Sequence, residues 1–174
     1  MKSYFEIKIP LDVNSEWLKG LKETLSDIDV RWQNGFQHIT AVFIVDTPDK
    51  PLVSSIIDRH LINQKCLFEL SFDQLDAFTI KDGHTHIIHL SSTETQPEFY
   101  LWLDGLRSEL SSSGVKIEPD FKLHVTLGRV SSSSIGLDYL KSRLTCYKIP
   151  LLRFNTKCFE YREFRGETIK KWDF

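Results

Sequence analysis

Apolar and polar residues alternate over residues 3–9, with Phe5, Ile7 and Ile9 on one face, which is the period of a half-buried strand. Pro10 ends it. Asn14-Ser15-Glu16 then opens a helix whose Trp17, Leu18, Leu21 and Leu25 recur at helical spacing. Asn34-Gly35 marks a turn, and the β-branched and aromatic run 36–45 predicts a second strand. Residues 46–51 form a turn and helix entry, and Leu52, Ile56, Ile57 and Leu61 give that helix its buried stripe. Two further strands are predicted at 67–75 and 84–90, with Lys81-Asp82-Gly83 as the turn between them. Thr95-Gln96-Pro97-Glu98 has the form of a capping box with Pro in the first turn. It opens a helix carrying Phe99, Leu103, Leu106 and Leu110 on one side, closed at Gly114. A strand at 121–130, a loop at 131–134 and a short helix at 135–144 follow. The tail predicts two or three strands at 149–154, 157–164 and 167–173, the last two joined by a turn at Arg165-Gly166.

Helices and strands alternate, yet hairpin-like neighbours also occur, so the order predicts an α+β fold rather than a doubly wound parallel sheet. The serine-rich stretches 111–113 and 131–134 are too short for interdomain linkers, which leaves residues 1–174 as one domain. Lys and Arg number 22 against 24 Asp and Glu, a formal charge of −2. That excludes a protein that coats long nucleic acid by counterion release, and leaves room for a short phosphorylated ligand. The most apolar stretch, 39–45, falls far short of the roughly 20 residues that span a bilayer. Glu6 and Lys8 interrupt any signal-peptide core, so no membrane partner is expected. Cys66, Cys146 and Cys158 form no CxxC pair or zinc-finger spacing and read as reduced, mostly packed thiols of a cytoplasmic protein.

The chemistry concentrates in a repeat. Phe36-Gln37-His38-Ile39-Thr40 and Phe121-Lys122-Leu123-His124-Val125-Thr126 each place His-x-Thr in a predicted strand, 86 residues apart in a chain of 174. Half-chain spacing is what two pseudo-symmetric lobes would give. Residues i and i+2 of a strand share a face, about 6.5–7 Å apart, so each His looks into the same space as its Thr. If the two strands line one cleft, two imidazoles and two hydroxyls converge. One neutral imidazole then takes a proton from an attacking hydroxyl or water, and a protonated one gives a proton to the leaving oxygen. The threonine hydroxyls donate to the phosphate oxygens, and no metal is needed.

These segments resemble the paired motifs of the two-histidine (2H) phosphoesterases, and within them the LigT-like branch of 2′–5′ RNA ligases and RNA 2′,3′-cyclic phosphodiesterases. The resemblance covers most of the chain, including the helix ending at Leu110 and Gly114 and the hairpin around Gly166. It implies a bilobal α+β fold, two pseudo-symmetric antiparallel sheets backed by helices around a central cleft. It implies a metal-independent phosphodiesterase that hydrolyses 2′,3′-cyclic phosphates at RNA ends or on small nucleotides, with no cofactor, acting as a monomer. It also implies His38 as general acid, His124 as general base, Thr40 and Thr126 as phosphate ligands, and Arg129 in support. Arg129 lies three residues past Thr126, and a flat strand would turn it to the other face. Leu123 stands where many relatives have Pro, and Ile44-Val45-Asp46 replaces a Leu-Gly ending, which marks a divergent member. The alternative from another class is a nucleotide- or RNA-end-binding module of the same fold without productive chemistry.

Other features read more plainly. His84-x-His86 puts two imidazoles on one strand face, as zinc accepts, but His89 falls on the other face and no third ligand is at hand. A polar strand edge without metal is the expectation there. His89-Leu90-Ser91 is a looser His-x-Ser, only 35 residues before His124. His60 is expected on a helix surface. Trp17, Trp32, Trp102 and Trp172 are expected in packing. Phe36 shares the parity of His38 and is the candidate for stacking on a nucleobase. Lys122 shares that of His124 and adds positive potential.

Overall fold

The structure is a computed structural model and describes residues 2–46, 49–62 and 67–174. Cys66 and the 47–48 step of the expected helix entry lie outside the described residues. In chain order the elements are β1 (Ser3–Ile9), α1 (Glu16–Thr24), β2 (Arg31–Trp32), β3 (Gln37–Asp46), α2 (Lys50–Ile62), β4 (Glu69–Phe72), β5 (Gln74–Thr79) and β6 (Thr85–Ser91). Then come α3 (Pro97–Ser112), β7 (Lys116–Ile117), β8 (Val125–Ser131), α4 (Leu137–Thr145), β9 (Leu152–Asn155), β10 (Cys158–Glu163) and β11 (Thr168–Asp173). The class is α+β, as the element order predicts. One sheet runs β11-β10-β1-β3-β7, a second runs β2-β8-β6-β5, and β4 pairs with β9 in a third. All the strand pairs are antiparallel.

The two larger sheets are built alike around the motif strands: β3 lies between β1 and β7, and β8 between β6 and β2. The short outer strands are exchanged. β2 leads into β3 along the chain but pairs with β8, through Arg31 opposite Arg129 and Trp32 opposite Gly128. β7 leads towards β8 but pairs with β3, through Ile117 opposite Ile44 and Lys116 opposite Asp46. The exchange continues one residue further on each side. Gln33 N–H donates to the Leu127 carbonyl at 2.7 Å, and Glu118 N–H to the Phe43 carbonyl at 2.9 Å.

One apolar cluster backs the first sheet. Phe5, Ile7, Ile39 and Ile44 from β1 and β3 are buried with Val53, Ile56 and Ile57 of α2 and Phe99, Leu103 and Leu106 of α3. Phe5 and Trp102 rings lie 6.5 Å apart, and Trp172 is buried beside them, so the tryptophans pack as expected. Among the described residues no helix is long and apolar enough to cross a membrane.

Several sequence expectations need correction. The strand expected at 67–75 breaks at Asp73, because β4 leaves to pair with β9 while β5 pairs with β6; the Asp73 carboxylate accepts the Thr93 N–H at 2.8 Å. The strand expected from residue 121 starts only at Val125. No capping box forms at α3: Gln96 is the cap residue, and its side-chain oxygen accepts the Ser71 N–H on β4 instead. His60 is buried, not exposed, because Glu109 of α3 reaches its Nε2 at 2.7 Å. Cys146 is exposed rather than packed, and Cys158 is half-buried; both are free thiols. His86 is buried on an interior strand rather than at a sheet edge, with Nδ1 bonded to Thr79 Oγ1 at 2.9 Å and Nε2 to the Ile135 carbonyl at 3.0 Å.

Gly128 sits where β2 closes on β8. A Cβ there would lie 2.7 Å from Val30 Cγ1 and 3.3 Å from the Trp32 ring. Gly128→Ala is expected to push β2 off β8 and cost about 1–3 kcal/mol, read as a lower urea midpoint.

Candidate active site

His38 and Thr40 point away from the core: Gln37, Ile39 and Ala41 are buried on one face of β3, while His38 and Thr40 are half-buried on the other. On β8, Val125 and Leu127 are buried and Thr126 is half-buried; His124 stands one residue before the strand. Each motif strand then bulges at the residue after its threonine. Phe5 faces Val42 and Glu6 faces Thr40, which leaves Ala41 as the extra residue. Ile88 faces Gly128 and His89 faces Thr126, which leaves Leu127 extra. An inserted residue reverses the face of everything beyond it. Arg129 therefore returns to the face of Thr126, against the flat-strand expectation, and Phe43 returns to the face of Thr40.

Arg107 of α3 holds this junction. Its guanidinium donates to the carbonyl of bulge residue Ala41 at 3.4 Å, and to those of Glu118 at 2.6 Å and Pro119 at 2.8 Å on the approach to His124. A cavity of about 580 Å³ opens beside it, with Thr40, Phe43, Phe78, Lys122 and His124 in its wall. The first motif's threonine and the second motif's histidine thus line one space. His38, Thr126 and Arg129 are not in that wall. Phe36 is 79% exposed and lines a separate cavity of about 360 Å³ with Lys8, Lys157 and Lys171.

Each imidazole is oriented by the backbone. His124 Nδ1 lies 2.7 Å from the Lys122 carbonyl, an acceptor only, so Nδ1 carries the hydrogen and Nε2 of the neutral ring is a free base. Burial lowers the His124 pKa from its ordinary value; the Lys122 carbonyl opposes this, and the charges of Lys122 and His38 add to it. His38 is also lowered by burial, but the Glu6 carboxylate pushes back, with Oε1 3.4 Å from His38 Nε2. Lys8, opposite His38 in register, and Arg129 press the other way. Arg129 Nη1 donates to Gln33 Oε1 at 2.8 Å. Lys122 Nζ sits 4.9 Å from the Phe78 ring centre and 3.9 Å from Asp76 Oδ2.

Two buried side chains here escape sequence reasoning. Glu6 lies across the sheet from Thr40, paired to Lys8 at 2.8 Å; its only sequence signal is its polar parity with Tyr4 and Lys8. His89 lies across from Thr126, its ring 5.4 Å from that of His124. Burial pushes its pKa down to about 4. Among the described residues no group of three or more His, Cys, Asp or Glu is placed to hold a metal ion.

No protein-family model matches the chain. No curated protein matches it in sequence. Solved structures do match, end to end. Kluyveromyces marxianus Usb1 with uridine monophosphate superposes with TM-score 0.66 at 10% identity, over 99% of this chain and 98% of that one. E. coli LigT complexed with 3′-AMP gives 0.57 at 15%, over 99% and 98%. A protein described as a phosphoesterase gives 0.59 at 16%, over 99% and 97%. At these identities the likeness is one of fold, and it is the fold that the 2H resemblance implies.

Two outcomes follow from these contacts. Arg107→Met removes the side-chain donor from the carbonyls of buried Ala41, half-buried Glu118 and exposed Pro119, and is expected to cost about 1–3 kcal/mol in denaturant unfolding. The second concerns acid. His89 titrates near 6.5 when unfolded and at about 4 when folded. As pH falls through that window the unfolded chain gains a proton that the folded chain refuses, so stability drops, by roughly 3 kcal/mol once below both values. His89→Gln is expected to lose less stability than the parent between pH 7 and pH 4, read from urea midpoints.

Proposed function

We propose that this chain is an enzyme, a metal-independent phosphodiesterase that hydrolyses 2′,3′-cyclic phosphates at RNA ends or on small nucleotides. It acts as a single bilobal domain over residues 1–174, as a monomer in the cytoplasm. One observation supports this above the others: the exchanged strands hold the two motif strands together, with Thr40 and His124 facing one cavity. The neighbours' ligands agree in kind, since uridine monophosphate and 3′-AMP are both nucleoside monophosphates.

The chemistry is an in-line displacement. His124 Nε2, left as a lone pair by the Lys122 carbonyl, takes a proton from water as its oxygen attacks phosphorus. The bond from phosphorus to one ribose oxygen breaks, and protonated His38 delivers its Nε2 proton to that oxygen. The product is a 2′- or 3′-monoester. Thr40 and Thr126 donate to the non-bridging oxygens, and Arg129, carried to the face of Thr126 by the bulge, adds positive charge, as does Lys122. Phe36, exposed two residues before His38, offers a ring for the base to stack on.

His38→Ala and His124→Ala are each expected to lower turnover of a 2′,3′-cyclic nucleotide by about 10²–10⁴, with urea midpoints close to the parent. Activity should survive EDTA. Both histidines are held below the ordinary value, so kcat/KM should follow a bell with its maximum below about pH 6.5. Tight product binding without turnover would select the binding-module reading, and loss of activity with chelator would overturn the metal-free mechanism.

A further inference from the structure

The two halves repeat one backbone device and differ in one side chain. Across each motif threonine, on the neighbouring strand, stands a buried titratable residue: Glu6 opposite Thr40, His89 opposite Thr126. Glu6 is 1% exposed and His89 0%. Glu6 Oε1 lies 3.4 Å from His38 Nε2. The His89 and His124 rings meet edge to face at 5.4 Å, and Phe78 packs against both.

We propose that Glu6 and His89 are positioning residues that break the symmetry of the histidine pair, so that His38 holds the proton and His124 holds the lone pair. The inference rests on the phosphodiesterase reading for the acid and base roles and extends it to two side chains that never touch substrate. Two imidazoles in equal environments, each sensing the other, would share a proton with no preferred site. A carboxylate beside one of them favours its charged form. Lys8, 2.8 Å from Glu6 and 3.1 Å from Glu160, supplies the countercharge that a carboxylate at this depth needs.

On the other side no such carboxylate stands at the equivalent position. His89 Nδ1 lies 3.0 Å from the Leu90 carbonyl, so the hydrogen is on Nδ1. Its Nε2 is buried and has no hydrogen-bond partner among the described residues. This neutral ring gives an imidazolium at His124 no countercharge, while Lys122 and His38 oppose one. The titratable groups facing His89 are Asp76 of β5, Lys122 and His124. Asp76 is shared with Lys141 of α4, 3.5 Å away. Facing His38, Glu6 exerts a larger charge effect than either Lys8 or Arg129.

Ring-proton NMR of the free, full-length protein, titrated downward from about pH 8, reads each imidazole without substrate. Protonation is expected in the order His38, His124, His89. Glu6→Gln should weaken proton binding at His38 about tenfold, leave His124 nearly unmoved, and shift the alkaline limb of kcat/KM to lower pH. A parent protein in which His124 protonates before His38, or a Glu6→Gln variant in which His38 stays put, overturns the proposal. If Glu6→Gln fails to fold, the order in the parent decides. The expected order and shift in a protein that hydrolyses no cyclic phosphate would uphold the symmetry-breaking and overturn the phosphodiesterase reading instead.

Discussion

Each motif strand is flanked by a two-residue strand that belongs, along the chain, to the approach of the other motif. Because β2 pairs with β8 and β7 with β3, the chain crosses between the sheets just before each His-x-Thr. The distance between the two motifs is therefore set by backbone hydrogen bonds and not by loop closure. Register is fixed by the same bonds, and register matters doubly here. A slip of one residue would send His38 and Thr40 into the core and Ile39 into the cleft. The chemistry proposed for these side chains tolerates little misplacement, and would be mounted on the parts of the fold with the least freedom.

The paired bulges refine what the exchange fixes. In a flat strand the face of Thr126 would continue with Gly128, and Arg129 would be lost to the other side. The extra residue at Leu127 reverses this and gives the second motif a guanidinium, while the same step at Ala41 gives the first an aromatic ring, Phe43. An unpaired bulge carbonyl is exposed to loss of its hydrogen bond, and Arg107 fills that need at Ala41 while tying down Glu118 and Pro119. One side chain thereby couples the shape of the first motif strand to the path of the segment that delivers His124.

What could be read in the sequence is what local pattern carries. The repeated His-x-Thr, its half-chain spacing, the helices and most strands follow from periods of two and 3.6. What could not be read depends on pairing across long separations. β2 and β7 are too short to have a period. The bulges have no compositional mark, so the parity argument for Arg129 fails. Glu6 and His89 become site residues only through their registers with Thr40 and Thr126. His60 looked like a surface histidine because its partner Glu109 is 49 residues away. The spacing of His89 from His124 carries no signal, whereas its place across from Thr126 does.

The depressed histidines fit this chemistry only when the substrate's own charge is counted. Burial disfavours imidazolium at both motif positions in the free protein. In the proposed reaction a cyclic phosphodiester, carrying one negative charge, would lie between the rings and favour protonation of both. On that reading the site would start from values that substrate binding corrects upward, toward the range where one ring holds a proton and the other a lone pair. A ring that began at the ordinary value would be driven above it by the same anion, and His124 would then spend much of its time protonated and useless as a base. Burial at His124 without a carboxylate, and burial at His38 with one, would thus give the proposed reaction two starting points that a single phosphate brings into use together.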